Sequence, residues 1–177
     1  MTPPECLESS RLILRPPGQE DAPAIFDGYA RDPEVVRYLT WPVHRDLGDT
    51  RAFLDSAERD WTRGKSFTWA LTERGDDTCL GMVGFRPEGF RGDMGYVLRR
   101  DRWGRGYMSE AAGRLLDWLK AQPELYRVSA VCDVDNHASA RVMEKIGMQY
   151  EGIQRRAMRH NIDEEPRDVK SYAWARA

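Results

Sequence analysis

The 177 residues predict a single α/β (α+β) domain whose sheet has about seven short strands, antiparallel in its first part, with one parallel crossover near its middle. Three observations predict it. Short apolar runs that alternate with polar residues, or lie between breakers, recur along the chain at strand length. Between residues 94 and 119 the apolar period changes from that of a strand to that of one helical stripe, and strand character returns at Val128. Such a succession favours a right-handed parallel crossover. The length suits one core and no stretch reads as a linker, so one domain spans residues 1–177.

Leu12-Ile-Leu14, between Ser10 and Pro16, is the first strand. Glu20 to Ala30 follows as a helix with Ala24, Ile25 and Tyr29 on one face, Asp21 near its start and Pro23 in its first turn. Residues 31–48 hold Pro33, Trp41, Pro42 and Gly48, which predicts a loop with a short helix from Val35 to Leu39. From Asp49 the spacing of Phe53, Leu54, Ala57 and Trp61 makes a second helix, ended by Gly64. Phe67, Trp69 and Leu71 alternate with Thr68 and Thr72 as a strand. Gly75-Asp-Asp is a turn, and Leu80 to Phe85 is a strand weakened by Gly81 and Gly84. Short connections make this group antiparallel. A strand around Tyr96, Val97 and Leu98 leads to a helix whose buried stripe is Met108, Ala111, Ala112, Leu115, Leu116 and Leu119. Val128 to Asp133 is the next strand, and Ala138 to Ile146 is a helix closed by Gly147. Met148 to Gln154 and Arg167 to Trp174 are the last strands, the second with Tyr172 and Trp174 on one face, and the polar string Arg155 to Glu165 joins them.

Lys plus Arg number 27 against 29 Asp plus Glu, a net charge of -2 that provides no field to gather nucleic acid or an anionic membrane. Cys6, Cys79 and Cys132 are odd in number with no close pair, which argues against a disulfide framework or a zinc site and for a reducing compartment. No apolar run is long enough to span a bilayer, and the N-terminus lacks the charge-then-apolar order of a signal peptide, so the expectation is a soluble cytoplasmic protein. His44, His137 and His160 have no metal-type partner at helical spacing and read as surface or pocket residues, with no metal.

The turn between the Tyr96 strand and the helix from Met108 has a physical use. Gly104 and Gly106 carry no Cβ, so the backbone there can take left-handed angles and let a ligand approach its amides. A helix start leaves its first amides unpaired and points the positive end of its dipole at the loop. The result is a seat for a phosphate or pyrophosphate, to which Arg102 and Arg105 can add charge-assisted contacts. The same glycines could serve only the turn. A P-loop is excluded because no glycine is followed, after four residues, by Gly-Lys-Ser/Thr, and a dinucleotide fingerprint is disfavoured because Ser109 stands where its third glycine belongs.

Trp103-Gly-Arg-Gly-Tyr-Met-Ser-Glu-Ala111 resembles the acetyl-CoA pyrophosphate loop of the GNAT superfamily of N-acetyltransferases, and its Trp-Gly-x-Gly-Tyr wording is most similar to the RimJ/RimL-like branch that acetylates ribosomal-protein N-termini. One strand further on, Asn136-His-Ala-Ser139-Ala-Arg141 with Glu144-Lys145-Ile-Gly147-Met148 resembles the family's Asn-x-x-Ser-x-Arg and Glu-Lys-x-Gly-Phe segment, with Met148 where Phe is usual. Asp135 or Asn136 can also simply cap that helix. The two motifs in this order are more specific than either alone. The resemblance is strong from about residue 80 onward and loose before that.

The resemblance implies a mixed sheet with helices on both faces, whose central parallel strands at Tyr96 and Val128 splay apart. The pantetheine arm of acetyl-CoA would pair with the backbone of Val97 and Leu98 in that gap. The pyrophosphate would sit on amides from Trp103 through Gly104, Arg105, Gly106 and Tyr107 to Met108, and Asn136 would hydrogen-bond the arm. Asp101 departs from the Gln or Arg of many relatives and would repel phosphate if it faced inward, with Arg102 as a replacement cation.

Acetyl transfer needs a neutral amine, yet a primary amine is largely protonated near neutrality. The resemblance implies Asp93 as the proton acceptor, directly or through water, with Glu88 as second choice. Asp93 could equally be a solvated strand-edge carboxylate. A backbone amide at Val97 or Leu98 could stabilise the oxyanion, and Ser139 could protonate the departing thiolate, or cap its own helix instead. Tyr38, Trp41 and His44 are candidates to line the acceptor site, or could be core. The expected activity is transfer of acetyl from acetyl-CoA to a protein N-terminus or a small amine. The alternative is a non-catalytic acyl-CoA sensor of the same fold. The acceptor and the oligomeric state, a homodimer included, stay open.

Overall fold

Strands β1 (Leu7–Glu8), β2 (Leu12–Arg15), β3 (Phe67–Glu73), β4 (Asp76–Glu88), β5 (Arg91–Leu98), β6 (Arg127–Asp133), β7 (Gln149–Arg159) and β8 (Pro166–Ala175) form one sheet in the order β1-β2-β3-β4-β5-β6-β8-β7 in the computed structural model, which describes residues 1–159 and 165–177. Every neighbouring pair is antiparallel except β5 and β6, which run parallel. The helices are α1 (Ala22–Ile25), α2 (Pro33–Val36), α3 (Leu47–Thr62), α4 (Tyr107–Lys120) and α5 (His137–Lys145).

Successive strand residues point to opposite faces, and two cores result. On one face the stripe Met108, Ala111, Ala112, Leu115, Leu116 and Leu119 of α4 packs with the sheet residues Leu12, Leu14, Trp69, Val83, Phe85 and Leu98, and Met143 of α5 closes the same core. On the other, Ile25, Tyr29 and Leu54 pack on Ala70 and Met82, with Val97 at the margin. Val83 and Met82, adjacent in β4, therefore serve different cores. Each fully buried Leu contributes about 1.5–3 kcal/mol, so the six-residue stripe of α4 is enough to fix that helix and the loop before it.

Several boundaries differ from the sequence reading for local reasons. The sheet has eight strands because Leu7 and Glu8 pair with Leu14 and Ile13. The Glu20–Ala30 helix is three pieces: a 3-10 turn at Gln19–Asp21, the short α1, and a π turn at Phe26–Ala30. Buried Asp21 takes both terminal nitrogens of Arg15 at 2.8 Å and so ties this segment to β2. α2 begins at Pro33, before the predicted Val35, because Asp32 accepts from the amide of Glu34 at 3.0 Å. α3 begins at Leu47, before the predicted Asp49, because Asp46 caps the amides of Gly48 and Asp49 at 2.7 and 3.1 Å. The turn before β4 is Arg74-Gly75, so Asp76 and Asp77 are already in the strand. Thr72, one of the polar residues alternating in this strand, is buried and reaches the carbonyl of Ile13 at 3.4 Å. Arg155 to Arg159 belong to β7, which absorbs extra residues in bulges between Tyr150 and Gly152 and between Gln154 and Met158. His160 and the rest of that polar string up to Glu164 lie outside the described residues. Among the described residues no helix is long and apolar enough to cross a membrane.

Candidate active site

β5 and β6 pair only at Arg91 with Arg127, Gly92 with Val128 and Asp93 with Ser129, then part. Beyond Asp93 each strand keeps its other neighbour, β4 or β8, and a wedge opens between them. Antiparallel ladders alternate, and the bond from the Arg99 amide to the Leu80 carbonyl at 2.9 Å sets the phase. In that phase Gly95 and Val97 spend their backbone groups on β4, while Met94, Tyr96 and Leu98 turn theirs toward the wedge. Two contacts agree: Gly92 O accepts from Ser129 Oγ at 3.3 Å, and Leu98 O accepts from the Trp103 indole at 2.8 Å. Of the two predicted strand contacts, Leu98 thus presents its backbone to the wedge and Val97 its side chain to the opposite face.

At the wide end lies the glycine loop. Gly104 and Gly106 take left-handed φ values of 73° and 78°, as their freedom from a Cβ allows. Gly106 precedes α4 without any side-chain cap, and among the described residues the amides from Gly104 to Ser109 find no carbonyl. No heavy atom stands within 4 Å of where a Cβ on Gly104 would be, so the loop is open to an approaching group. A pyrophosphate fits this donor set: an arc of free amides at a helix start, with no acidic side chain bonded among them. The predicted helper cations divide. Arg102 lies 3.6 Å from both Glu73 and Asp101, whereas Arg105 makes no ion pair with another described residue. Asp101 is held by Arg99 at 2.6 Å as well as by Arg102, so its charge is compensated. Tyr107 donates its hydroxyl to Glu73.

The loop is braced from α4. Glu110 accepts from Ser9 Oγ (2.7 Å), Ser10 Oγ (3.0 Å), the Arg11 amide (2.8 Å) and Arg11 Nε (2.7 Å), and Arg11 Nη1 then donates to the Arg105 carbonyl at 3.1 Å. Burial pushes the Glu110 carboxyl up, but the hydrogen bonds from Ser9, Arg11 and Ser10 outweigh it and bring it down to about 2. A carboxylate held below its ordinary 4.5 stabilises the fold fully above that pH and loses its contribution as pH falls toward 2. Glu110→Gln should therefore cost about 1.5–3 kcal/mol near neutrality, the range for hydrogen bonds to a charged group. Urea unfolding of the two proteins should show that gap narrowing in acid. A gap unchanged with pH would contradict this role.

Across the wedge from the loop, α5 begins just after the splayed end of β6. Asn136 caps it by accepting from the Ser139 amide at 3.0 Å, which leaves its side-chain NH2 for another acceptor. Ser139 Oγ lies 2.8 Å from the Tyr96 hydroxyl, which also reaches the Ser139 carbonyl at 3.0 Å. Cys132, on β6 beside Ser139, is buried and its thiol is pushed up by that burial to about 11, so it is protonated near neutrality. Asp93 stands at the apex of the wedge, exposed, and accepts from Ser129 Oγ at 2.6 Å. Glu88 is exposed and engaged by Arg91 at 2.9 Å.

A cleft of about 1470 Å³ connects these groups, with Asp93, Tyr96, Asn136 and Ser139 on its wall. The three predicted acceptor residues Tyr38, Trp41 and His44 line it too, from the loop after α2. The Trp41 and His44 rings are 5.3 Å apart, and His44 Nδ1 is 2.8 Å from Thr50 Oγ1. Burial lowers the His44 pKa, partly opposed by Asp49. Trp41 also packs on the second core. Sequence reasoning missed Tyr96 and Glu110. Tyr96 lies in a predicted strand and Glu110 inside the glycine-loop motif, but their partners are 43 and about 100 residues away.

Comparison with known proteins is consistent along the chain. The family model described as Acetyltransferase (GNAT) domain matches residues 11–149. The Uncharacterized N-acetyltransferase YoaA of Bacillus subtilis (strain 168) is 29% identical over 158 residues, covering 88% of this chain and 89% of that protein. A GNAT-family acetyltransferase structure from Bacillus anthracis superposes with a TM-score of 0.84 at 28% identity, covering 96% of this chain and 98% of the other. RimL, the ribosomal L7/L12 alpha-N-protein acetyltransferase, solved in complex with coenzyme A, shares the fold with a TM-score of 0.85 at 24% identity over 97% and 98% of the two chains. Wedge, uncapped glycine loop and family match agree, and the chain belongs to the GNAT family as an N-acetyltransferase.

Proposed function

We propose that the chain transfers acetyl from acetyl-CoA to a primary amine, a protein N-terminus or a small amine, by direct attack in a ternary complex. The observation that carries this reading is the wedge: one cleft joins an arc of free amides at its wide end to Ser139 on its wall beside Tyr96 and to Asp93 at its apex. An anion seat at one end and proton-handling side chains further in suit a molecule with a diphosphate at one end and a thioester at the other. RimL, with its bound coenzyme A, supports the donor.

In this reading the amides from Gly104 to Met108 hold the diphosphate, with Trp103 packing the loop onto Leu98 and Arg105 adding charge. The wedge-facing backbone of Tyr96 and Leu98 pairs with the pantetheine arm, Val97 closes the opposite wall, and Asn136 donates to an amide of the arm. The Leu98 or Tyr96 amide faces the thioester oxygen, where negative charge develops. Asp93, bonded to Ser129, takes a proton from the substrate ammonium directly or through one water and so frees the amine that attacks. Ser139 donates to the sulfur as it leaves. Tyr38, Trp41 and His44 shape the acceptor end. A panel of amines that includes N-terminal peptides, polyamines and amino acids, assayed by release of free coenzyme A thiol, tests the reading. Thiol release with one amine class supports it, and tight acetyl-CoA binding without release from any amine favours a sensor module instead.

A further inference from the structure

The geometry points to Tyr96 as a positioning residue whose single hydroxyl proton sets where Ser139 aims its own, an inference that rests on the acetyl-transfer reading above. The Tyr96 phenol has one proton and faces two acceptors on Ser139, the carbonyl at 3.0 Å and Oγ at 2.8 Å. When the proton lies on the carbonyl, the short Oγ contact requires Ser139 to donate back to Tyr96, and its hydrogen is turned away from the wedge. When the proton lies on Oγ, the Ser139 hydrogen is free to point into the wedge. Only the second arrangement serves a departing sulfur. Developing negative charge there selects it, so the pair switches by rotating two O–H bonds with no movement of heavy atoms.

The surroundings favour this use. Asn136 fixes the Ser139 backbone by capping its amide at 3.0 Å, which holds the Ser139 carbonyl and Cβ in place beside the Tyr96 hydroxyl. The Tyr96 ring packs partly buried against the main core, which fixes the phenol from the other side. Burial pushes the phenol pKa up, outweighing the Ser139 bond that lowers it, so Tyr96 stays a donor throughout. The proton count closes without ionising it. The C–N bond forms as the C–S bond breaks with its electron pair on sulfur; Ser139 passes its proton to that sulfur, the proton released by the amine nitrogen returns through water to Ser139, and Tyr96 keeps its own.

The test is a difference titration of the thiol of bound coenzyme A, holoprotein minus apoprotein, followed by thiolate absorbance in wild type, Tyr96→Phe, Ser139→Ala and the double variant. Phe preserves the ring, and coenzyme A affinity measured alongside reports the fold. The wild type should hold the bound thiol below its value in free coenzyme A. Tyr96→Phe should reverse that lowering by about one pH unit, a tenfold change in proton affinity. In the Ser139→Ala background Tyr96→Phe should add nothing, because its effect passes through Ser139. Turnover should follow, with kcat for Tyr96→Phe down about tenfold and KM for acetyl-CoA nearly unchanged. An unlowered thiol in the wild type, or equal effects of Tyr96→Phe with and without Ser139, would overturn the assignment. The titration needs no acceptor, so failure of the amine panel alone strikes the acetyl-transfer reading and leaves this result to be read separately.

Discussion

Replacing Ser139 with Ala and Asp93 with Asn together should abolish measurable acetyl transfer while leaving coenzyme A bound as in the wild type. In the proposed mechanism the two side chains act at opposite ends of one proton path, Asp93 on the attacking nitrogen and Ser139 on the departing sulfur. General acid and base groups each contribute about 10²–10⁴-fold, so the pair should lower kcat by at least about 10³-fold. Neither change should disturb the cofactor seat. Asn is the same size as Asp and can still accept from Ser129, whose Oγ is 2.6 Å from the carboxylate. Ser139→Ala keeps the helix cap, because Asn136 bonds the backbone amide of residue 139 and not its side chain. Coenzyme A affinity by calorimetry should stay within about threefold, under 1 kcal/mol. Turnover that survives the double substitution would remove both residues from the chemistry.

Gly106→Val should have the opposite signature, with weak cofactor binding and chemistry largely intact at saturation. Gly106 sits at a φ of 78°, where a β-branched residue costs about 1–3 kcal/mol. Its Cβ would lie only in ordinary contact with Arg11 Nη2 at 3.5 Å, so the backbone angle carries the cost. The loop must therefore turn its amides away from the arc, and KM for acetyl-CoA should rise about 10–100-fold, as 1.4–2.8 kcal/mol of lost binding requires. The fold should survive, because the α4 stripe from Met108 to Leu119 is buried independently of the loop. Steady-state kinetics across acetyl-CoA concentrations would show it. An unchanged KM would mean that these amides do not hold the donor.

How much of this was legible in the sequence follows from how local each signal is. The β5–loop–α4 unit is readable because its glycines, its change of period and its apolar stripe lie within adjacent residues. The parallel crossover follows from the strand–helix–strand succession. The broken helix at Glu20–Ala30 was not readable, since a continuous apolar face does not reveal that the Asp21–Arg15 pair and a π turn interrupt it. The starts of α2 and α3 carried their signals in Asp32 and Asp46, each a capping residue just before the helix, and these could have been used. At the site, strand identity was evident, but whether Val97 or Leu98 faces the wedge depends on register, which the Arg99–Leu80 bond fixes from another strand. Glu110 and Tyr96 gain their roles from Ser9, Ser10, Arg11 and Ser139, partners that only the folded chain brings near.

The most direct measurement of the central claim is a crystal structure of the protein with coenzyme A. The account predicts diphosphate oxygens about 3 Å from the amides between Gly104 and Met108, and the thiol between β5 and β6 beside Ser139. A diphosphate seated elsewhere, or a thiol outside the wedge, would contradict it.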